Sequence, residues 1–191
     1  EGSIFVAGSL MQWLRDGIGI IGAAAETDGI ARSVPDNGGV AMLPALAGLG
    51  APHWRPEATG TISGITLGTT RAHIVRAALE SLSHQAQDLA RAFAADGAPW
   101  RLLRIDGGMS ANDWIAQDLA DMLALPVERP ADVETTALGA AMLAAVGVGL
   151  HPTLAAAATA MRSATARFTP AMADDVRNRR LGQWQALLSA P

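Results

Sequence analysis

The sequence predicts a single α/β domain in which helices flank a mixed β-sheet. Half of its 191 residues are hydrophobic and only 17% are charged, which gives enough apolar material for a core and too little charge for a disordered chain. Short strand-like stretches alternate with stretches of helical periodicity, a pattern typical of α/β folds. No repeat or linker divides the sequence, so we expect one domain over residues 1–191.

The first half of the chain contains one long predicted helix among shorter elements. A strand ends near Gly8 and leads into a helix over 10–21, which is followed by a polar loop at 27–38. Strands are expected at 40–43 and 60–66, and the proline-rich stretch between them is long enough to be a functional loop. The long helix should begin at Thr70 and end at Gly97, because apolar residues recur between them in steps of three and four.

In the second half, predicted strands and helices alternate before two closing helices. Short strands are expected at 102–105 and 125–127, with a helix capped by Ser110 between them. An alanine-rich helix should begin at Thr135 or Thr136, and helical patterns at 153–162 and 173–188 close the chain.

Cysteine, lysine and tyrosine do not occur in the sequence. Without cysteine there is no disulfide, thiolate metal site or cysteine nucleophile, and a cytoplasmic setting is expected. Without lysine this chain contains no phosphate-loop lysine and no Schiff-base lysine.

Composition also argues against several kinds of partner. A net charge of −4 and scattered arginines predict no nucleic-acid surface. The longest apolar run, residues 137–150, is interrupted by glycines and is shorter than a membrane span, so no membrane partner is expected. The four histidines lack metal-ligand spacing, so no metal site is predicted.

The most informative segment runs from Asp106 to Asn112, where a strand, a double-glycine turn and a helix start follow one another. Glycines let a ligand approach the backbone closely, and a free helix N-terminus favours an anion such as phosphate. Gly108 and Asn112 are therefore candidate binding residues. The same spacing also fits a tight turn in which Asp106 and Ser110 cap the helix.

A second junction between a strand and a helix contains Gly8, with Gln12 one turn further on. A nucleotide base or ribose could lie against Gly8 and accept or donate a hydrogen bond at the Gln12 amide. An ordinary helix start explains this pattern equally well.

Several segments together resemble the C-terminal half of the FGGY carbohydrate kinases. The stretch 60–65, followed by His73-Ile74 and by residues 77–80, is similar to the second signature of that family at every constrained position. Four further segments resemble the family members that phosphorylate glycerol, namely residues 8–16, 48–54, 106–112 and 136–141.

This resemblance implies an actin-like, ribonuclease H-like ATPase fold, with nucleotide held between two such domains, of which this chain would be the second. By similarity, Gly8, Gln12, Gly108 and Asn112 are the positions at which the family binds ATP or ADP. The implied reaction is transfer of a phosphoryl group from ATP, with Mg²⁺, to glycerol or a related polyol. Family relatives are often homo-oligomers, so the resemblance also allows a homo-oligomer.

The resemblance also implies limits. The catalytic aspartate and the polyol-binding residues of the family lie in its N-terminal half, so no catalytic residue is assigned to this chain, and the chain alone is expected to be inactive. Arg55 and Thr59 stand where the family usually has aspartate and arginine, and Leu67 stands where the glycerol-phosphorylating members often have arginine. Three alternatives remain: a kinase for another polyol or a ketose, a non-catalytic actin-like nucleotide-binding module, and a plain interaction domain.

Overall fold

The computed structural model describes residues 2–189, which form two small sheets surrounded by helices. The helices are α1 (Gly8–Gln12, extended by a π-helical turn over Trp13–Gly17), α2 (Glu26–Arg32), α3 (Arg71–Ala95), α4 (Asp113–Leu123), α5 (Thr135–Gly147), α6 (Leu154–Met161) and α7 (Asp174–Leu188). The strands are β1 (Ala41–Leu43), β2 (Thr61–Ser63), β3 (Leu103–Arg104), β4 (Val127–Pro130) and β5 (Thr165–Phe168). No helix in this range is long and apolar enough to cross a membrane.

The predicted mixed sheet is confirmed. Strands β3 and β4 are parallel, with Leu103 opposite Val127, and β5 pairs antiparallel with β4. The connection from β3 to β4 runs through α4, as a parallel pair requires a crossover. Strands β1 and β2 form a separate antiparallel pair with Met42 opposite Ile62.

Helix α3 passes through the centre of the molecule, and its limits agree with the prediction. Thr70 is its N-cap residue, and the Thr70 amide donates to Nδ1 of His73 at 3.1 Å. Gly97 follows its C-terminus with φ +82°, a backbone angle that favours glycine. Val75 and Leu79 on its apolar face are fully buried, so the predicted seam is part of the core.

The predicted loop at 27–38 is wrong, because its first residues form α2. The local sequence is polar, but tertiary contacts stabilise the helix. Ala31 is fully buried, and the Arg76 guanidinium on α3 donates to the carbonyl oxygens of Ala31 and Val34 at 3.2 and 2.6 Å. These contacts come from residues more than 40 positions away, so the local sequence does not reveal them.

Four further details differ from what the sequence predicts. The strand expected before Gly8 is absent: Val6 is buried and Phe5 is exposed, but neither belongs to a strand of the described residues 2–189. Strand β4 begins two residues later than predicted, and β5 was not predicted at all, since its exposed side chains give no apolar alternation. The residue that caps α4 is Asn112, whereas the Ser110 hydroxyl donates to the carbonyl oxygen of Gly107.

A buried charge network joins α3, α4 and α7. Both terminal nitrogens of the Arg180 guanidinium donate to Asp118, at 2.6 and 2.9 Å, and Glu80 lies 3.7 Å from Arg180 Nε. Burial raises the pKa of Glu80, and the charges of Arg180 and Arg76 oppose that shift. Asp118 is buried because α7 covers it.

Helix α7 also contacts α3 through aromatic and hydrogen-bonding groups. The ring of His84 stacks on Trp184 with their centroids 5.3 Å apart, and the Trp184 indole N–H donates to Asp88 at 2.6 Å. The same carboxylate is paired with Nε2 of His53 at 2.9 Å, which links the irregular segment 44–59 to α3.

We predict that His84 makes the fold sensitive to acid. Burial, with the nearby charge of Arg180, lowers the pKa of His84 to about 3. In the unfolded chain its pKa is near the ordinary value of about 6.5, so between these values the unfolded state binds more protons and stability falls as the pH drops below about 6.5. His84→Phe keeps an aromatic ring against Trp184 and removes the titration.

The free energy of unfolding, measured by denaturant titration from pH 7.5 to pH 5, tests this prediction. We expect the wild type to lose stability more steeply than His84→Phe, by up to about 1.4 kcal/mol per pH unit below pH 6. Equal pH dependence in the two proteins would show that His84 is not the responsible group.

Candidate functional site

The turn after β3 brings the glycine motif to the surface. The amide of Ile105 donates to the Glu128 carbonyl at 2.9 Å, which is the last link of this strand pair. Gly107 then has φ +77°, and its amide donates to the Val133 carbonyl at 2.9 Å. A 3₁₀ turn over Gly108–Ala111 leads directly into α4. The left-handed residue that makes this turn is thus Gly107.

Asn112 stands at the start of α4, and both ends of its amide are in use. Its Oδ1 accepts from the Ile115 amide at 3.0 Å, which is an N-cap hydrogen bond. Its Nδ2 donates to the hydroxyl of Thr27 on α2, also at 3.0 Å. The predicted binding residue is therefore a structural cap as well.

A carboxylate also occupies the N-terminus of α4. Asp28 accepts from the Trp114 amide at 2.7 Å and pairs with Arg32. The Arg32 guanidinium lowers the pKa of Asp28, and burial opposes this shift while the Trp114 hydrogen bond adds to it. Because a negative group already satisfies the helix end, the site is not a free anion-binding helix terminus.

Arg129 supports the turn from β4. Its guanidinium donates to the Ser110 carbonyl at 2.7 Å and pairs with Asp113 at 2.8 Å. It also lies over the ring of Phe168 on β5, 5.3 Å from the centroid. The turn is therefore held by β4 on one side and by α2 on the other.

The first glycine motif lies against the second. A Cβ atom built on Gly8 would lie 3.9 Å from Cγ of Met109, which is an ordinary contact distance. Leu10 and Met11 of α1 share a hydrophobic cluster with Met109. Gln12 is exposed one helical turn after Gly8, on the same side of α1.

The chain's own packing does not require glycine at Gly108. Its φ is outside the left-handed region, and a Cβ atom there would meet no atom of residues 2–189 within 4 Å. Gly108 and Gly8 are both exposed. Two neighbouring backbone segments thus present an uncovered surface that a flat ligand could approach closely.

A cleft of about 420 Å³ adjoins the turn, between β3, β4 and α5. Asp106 lines it and accepts a hydrogen bond from the Thr135 hydroxyl at the start of α5. None of the four predicted binding residues lines this cleft. The glycine surface and the cleft are therefore two separate features.

The structure brings Gly8 next to the segment that contains the predicted residues Gly108 and Asn112. The fourth predicted residue, Gln12, lies one helical turn after Gly8 on the same side of α1. Sequence reasoning missed Thr27, Asp28 and Arg129, which hold the segment in place. Glu26 and Asp28 are acidic residues of the first turn of α2, which is a helix-start signal that the sequence contains. Nothing in the sequence linked Arg129 to the turn.

Two of the histidines, His73 and His84, have structural roles. His73 takes part in the cap of α3, and His84 is buried against α7. Within residues 2–189 no group of three histidine or acidic side chains is placed to hold a metal ion.

Comparison with known proteins gives a consistent result. Residues 1–148 match the family described as "FGGY family of carbohydrate kinases, C-terminal domain". A glycerol kinase from Rhodospirillum centenum is 53% identical over 185 residues, which cover 97% of this chain and 37% of that protein. The chain therefore spans little more than a third of the length of such relatives.

Solved structures show the same similarity. The crystal structure of Plasmodium falciparum glycerol kinase with ADP matches with a TM-score of 0.85 at 33% identity, over 97% of this chain and 37% of that one. A xylulose kinase from Rhodospirillum rubrum matches with a TM-score of 0.79 at 29% identity, over 97% of this chain and 38% of that one. The predicted actin-like α/β fold is confirmed.

We predict that Asn112 contributes to stability independently of any ligand. Asn112→Ala removes the N-cap and the link to Thr27, and should lower the free energy of unfolding by about 1–2 kcal/mol. Asn112→Ser keeps a capping oxygen, so it should lose less than half as much. Denaturant titration without ligand measures both changes, and equal stability of Asn112→Ala and the wild type would contradict the prediction.

Proposed function

Because this chain belongs to the FGGY family of carbohydrate kinases, we propose that it supplies the nucleotide-binding domain of a kinase that uses ATP to phosphorylate glycerol to glycerol 3-phosphate. The chain matches the C-terminal domain of the family and about 37% of the length of a glycerol kinase at 53% identity. The remaining length of such a protein would supply the acceptor site and the catalytic base. We therefore expect residues 1–191 alone not to phosphorylate glycerol.

The observation that carries this proposal is the uncovered surface at Gly8 and Gly108. At Gly108 neither backbone angle nor packing within the chain calls for glycine. A residue without a side chain at this place, next to the motif of Gly8, leaves room for a ligand to approach the backbone closely. Gln12 and Asn112 stand beside the two glycines and offer amide groups for hydrogen bonds, as a nucleotide site needs.

The charges around the turn favour the uncharged part of the nucleotide. Asp28 and Asp113 lie at the start of α4, where Asp28 already accepts a backbone hydrogen bond. Each carboxylate is paired with an arginine, Asp28 with Arg32 and Asp113 with Arg129, so the start of α4 offers neither a free helix end nor an unpaired positive charge to phosphate groups. We therefore assign the adenosine moiety, and not the triphosphate, to the surface at Gly8, Gln12, Gly108 and Asn112.

The phosphates and their Mg²⁺ ion belong elsewhere in the cleft between the two domains of the kinase. Mg²⁺ is usually held by one or two carboxylates together with the phosphates of its substrate, so the nucleotide itself would supply several of its ligands. Mg²⁺ supplies charge neutralisation in phosphoryl transfer, and this domain contributes by positioning ATP.

A second candidate function is phosphorylation of a five-carbon ketose. The structural match to a xylulose kinase favours it, with a TM-score of 0.79. The match to a glycerol kinase is stronger, at a TM-score of 0.85 and higher identity, so glycerol is the preferred acceptor.

We predict that Gly108→Val in the intact kinase weakens ATP binding and leaves stability nearly unchanged. The valine side chain would occupy the space that the nucleoside needs, whereas the chain itself leaves that space empty. Calorimetric titration with ATP should show affinity lowered about tenfold or more, since a ligand cannot keep its contacts against an added side chain.

Two controls separate binding from folding. Gly182→Val on α7 also enters open space, and should leave ATP affinity unchanged. Gly107→Val should lower the melting temperature, because Gly107 has φ +77°. Unchanged ATP affinity in Gly108→Val would reject the proposed nucleotide surface.

We further predict that glycerol is the best acceptor of the intact kinase. The test compares kcat/KM for glycerol, erythritol, xylulose and ribulose at saturating ATP, and we expect glycerol to exceed the ketoses at least about tenfold, as one well-placed set of hydrogen bonds achieves. A clear preference for a ketose would reject the glycerol assignment and support the second candidate.

A further inference from the structure

Thr27 on α2 contacts Asn112 at the start of α4, although it lies 85 positions earlier in the chain. It is only 1% exposed. Its hydroxyl donates to the carbonyl oxygen of Ala24 at 2.6 Å and accepts from Nδ2 of Asn112 at 3.0 Å. Because this buried hydroxyl both donates and accepts a hydrogen bond, it has a fixed orientation toward the Asn112 side-chain amide.

These two hydrogen bonds determine the orientation of the hydroxyl and of the amide. The single hydroxyl proton goes to Ala24, so only a lone pair is left to face Asn112. The NH₂ end of the Asn112 amide must therefore point to Thr27, and its oxygen points to the Ile115 amide. One N–H and one lone pair of the amide then remain for a ligand.

We propose that Thr27 is a positioning residue for nucleotide binding, which acts by orienting the Asn112 amide. This inference rests on the nucleotide site proposed above. The amide can donate to and accept from the nucleoside only if its plane is held in one orientation, and the cap at Ile115 holds just the oxygen end. Thr27 holds the nitrogen end.

A purely structural role for Thr27, as a tie between α2 and α4, is less consistent with its surroundings. The next residue, Asp28, already ties the helices through the Trp114 amide at 2.7 Å. Arg76 on α3 holds the C-terminal end of α2 separately, through the Ala31 carbonyl. Loss of the Thr27 hydroxyl should therefore leave the helices packed while it releases the amide.

The test uses the intact kinase and three substitutions. Thr27→Val keeps the β-branched shape and removes both hydrogen bonds, and Thr27→Ser restores the hydroxyl. Thr159→Val is a control for the same change on an exposed helix face, because the Thr159 hydroxyl donates to Ala155 in its own helix α6, at 2.9 Å. The measurements are Kd for ADP by calorimetry, KM for ATP and for glycerol, kcat and the melting temperature.

We expect Thr27→Val to raise Kd for ADP and KM for ATP about three- to tenfold, the effect of one or two lost hydrogen bonds. KM for glycerol should stay within about twofold, because the acceptor does not meet this surface. Thr27→Ser should return both nucleotide constants close to the wild-type values, and Thr159→Val should change none of them.

Two results would overturn the inference. One is a Thr27→Val protein with unchanged Kd for ADP while Asn112→Ala weakens it, which would leave the nucleotide site in place without Thr27. The other is an equal rise in KM for ATP and for glycerol with a lower melting temperature, which is the signature of a structural residue. A wild-type kinase that binds no ADP would instead reject the proposed function itself, and this inference with it.

Discussion

The structure depends on the burial of Arg180 between three helices. A guanidinium that loses its water needs charged partners, and Arg180 finds Asp118 on α4 and Glu80 on α3. The pair with Asp118 is bidentate, so it sets the angle between helices as well as their distance. Breaking such a pair leaves an uncompensated buried charge, which typically costs about 3–5 kcal/mol.

This constraint reaches the candidate site through α4. The buried face of α4 is held by Arg180, and its first turn is held by Asp28 and by the Asn112 cap. Arg129 supports the preceding turn from the sheet. The glycine surface is therefore open to a ligand while the backbone that forms it is tied on several sides, and a preorganised site of this kind loses little entropy when it binds.

The sequence predicted the frame of the domain because the signals for it are local. Apolar spacing located α3 between Thr70 and Gly97, and the strand–turn–helix pattern located the motif at Gly108. A mixed sheet followed from the alternation of elements. The class of fold and the expected nucleotide came from the resemblance of residues 60–80 and four further segments to the FGGY kinases, which no propensity rule contains.

What only the tertiary structure decided are the long-range partners of polar groups. Helix α2 was predicted as a loop because its stabilising contacts come from Arg76 and from α4. Asp118 on α4 is buried only because α7, from the end of the chain, covers it. The sequence by itself determined which backbone segments are glycine-rich and where α3 begins and ends, since those features depend on neighbours along the chain. Which side chain meets Asn112, or leaves Gly108 uncovered, depends on residues brought together only by folding.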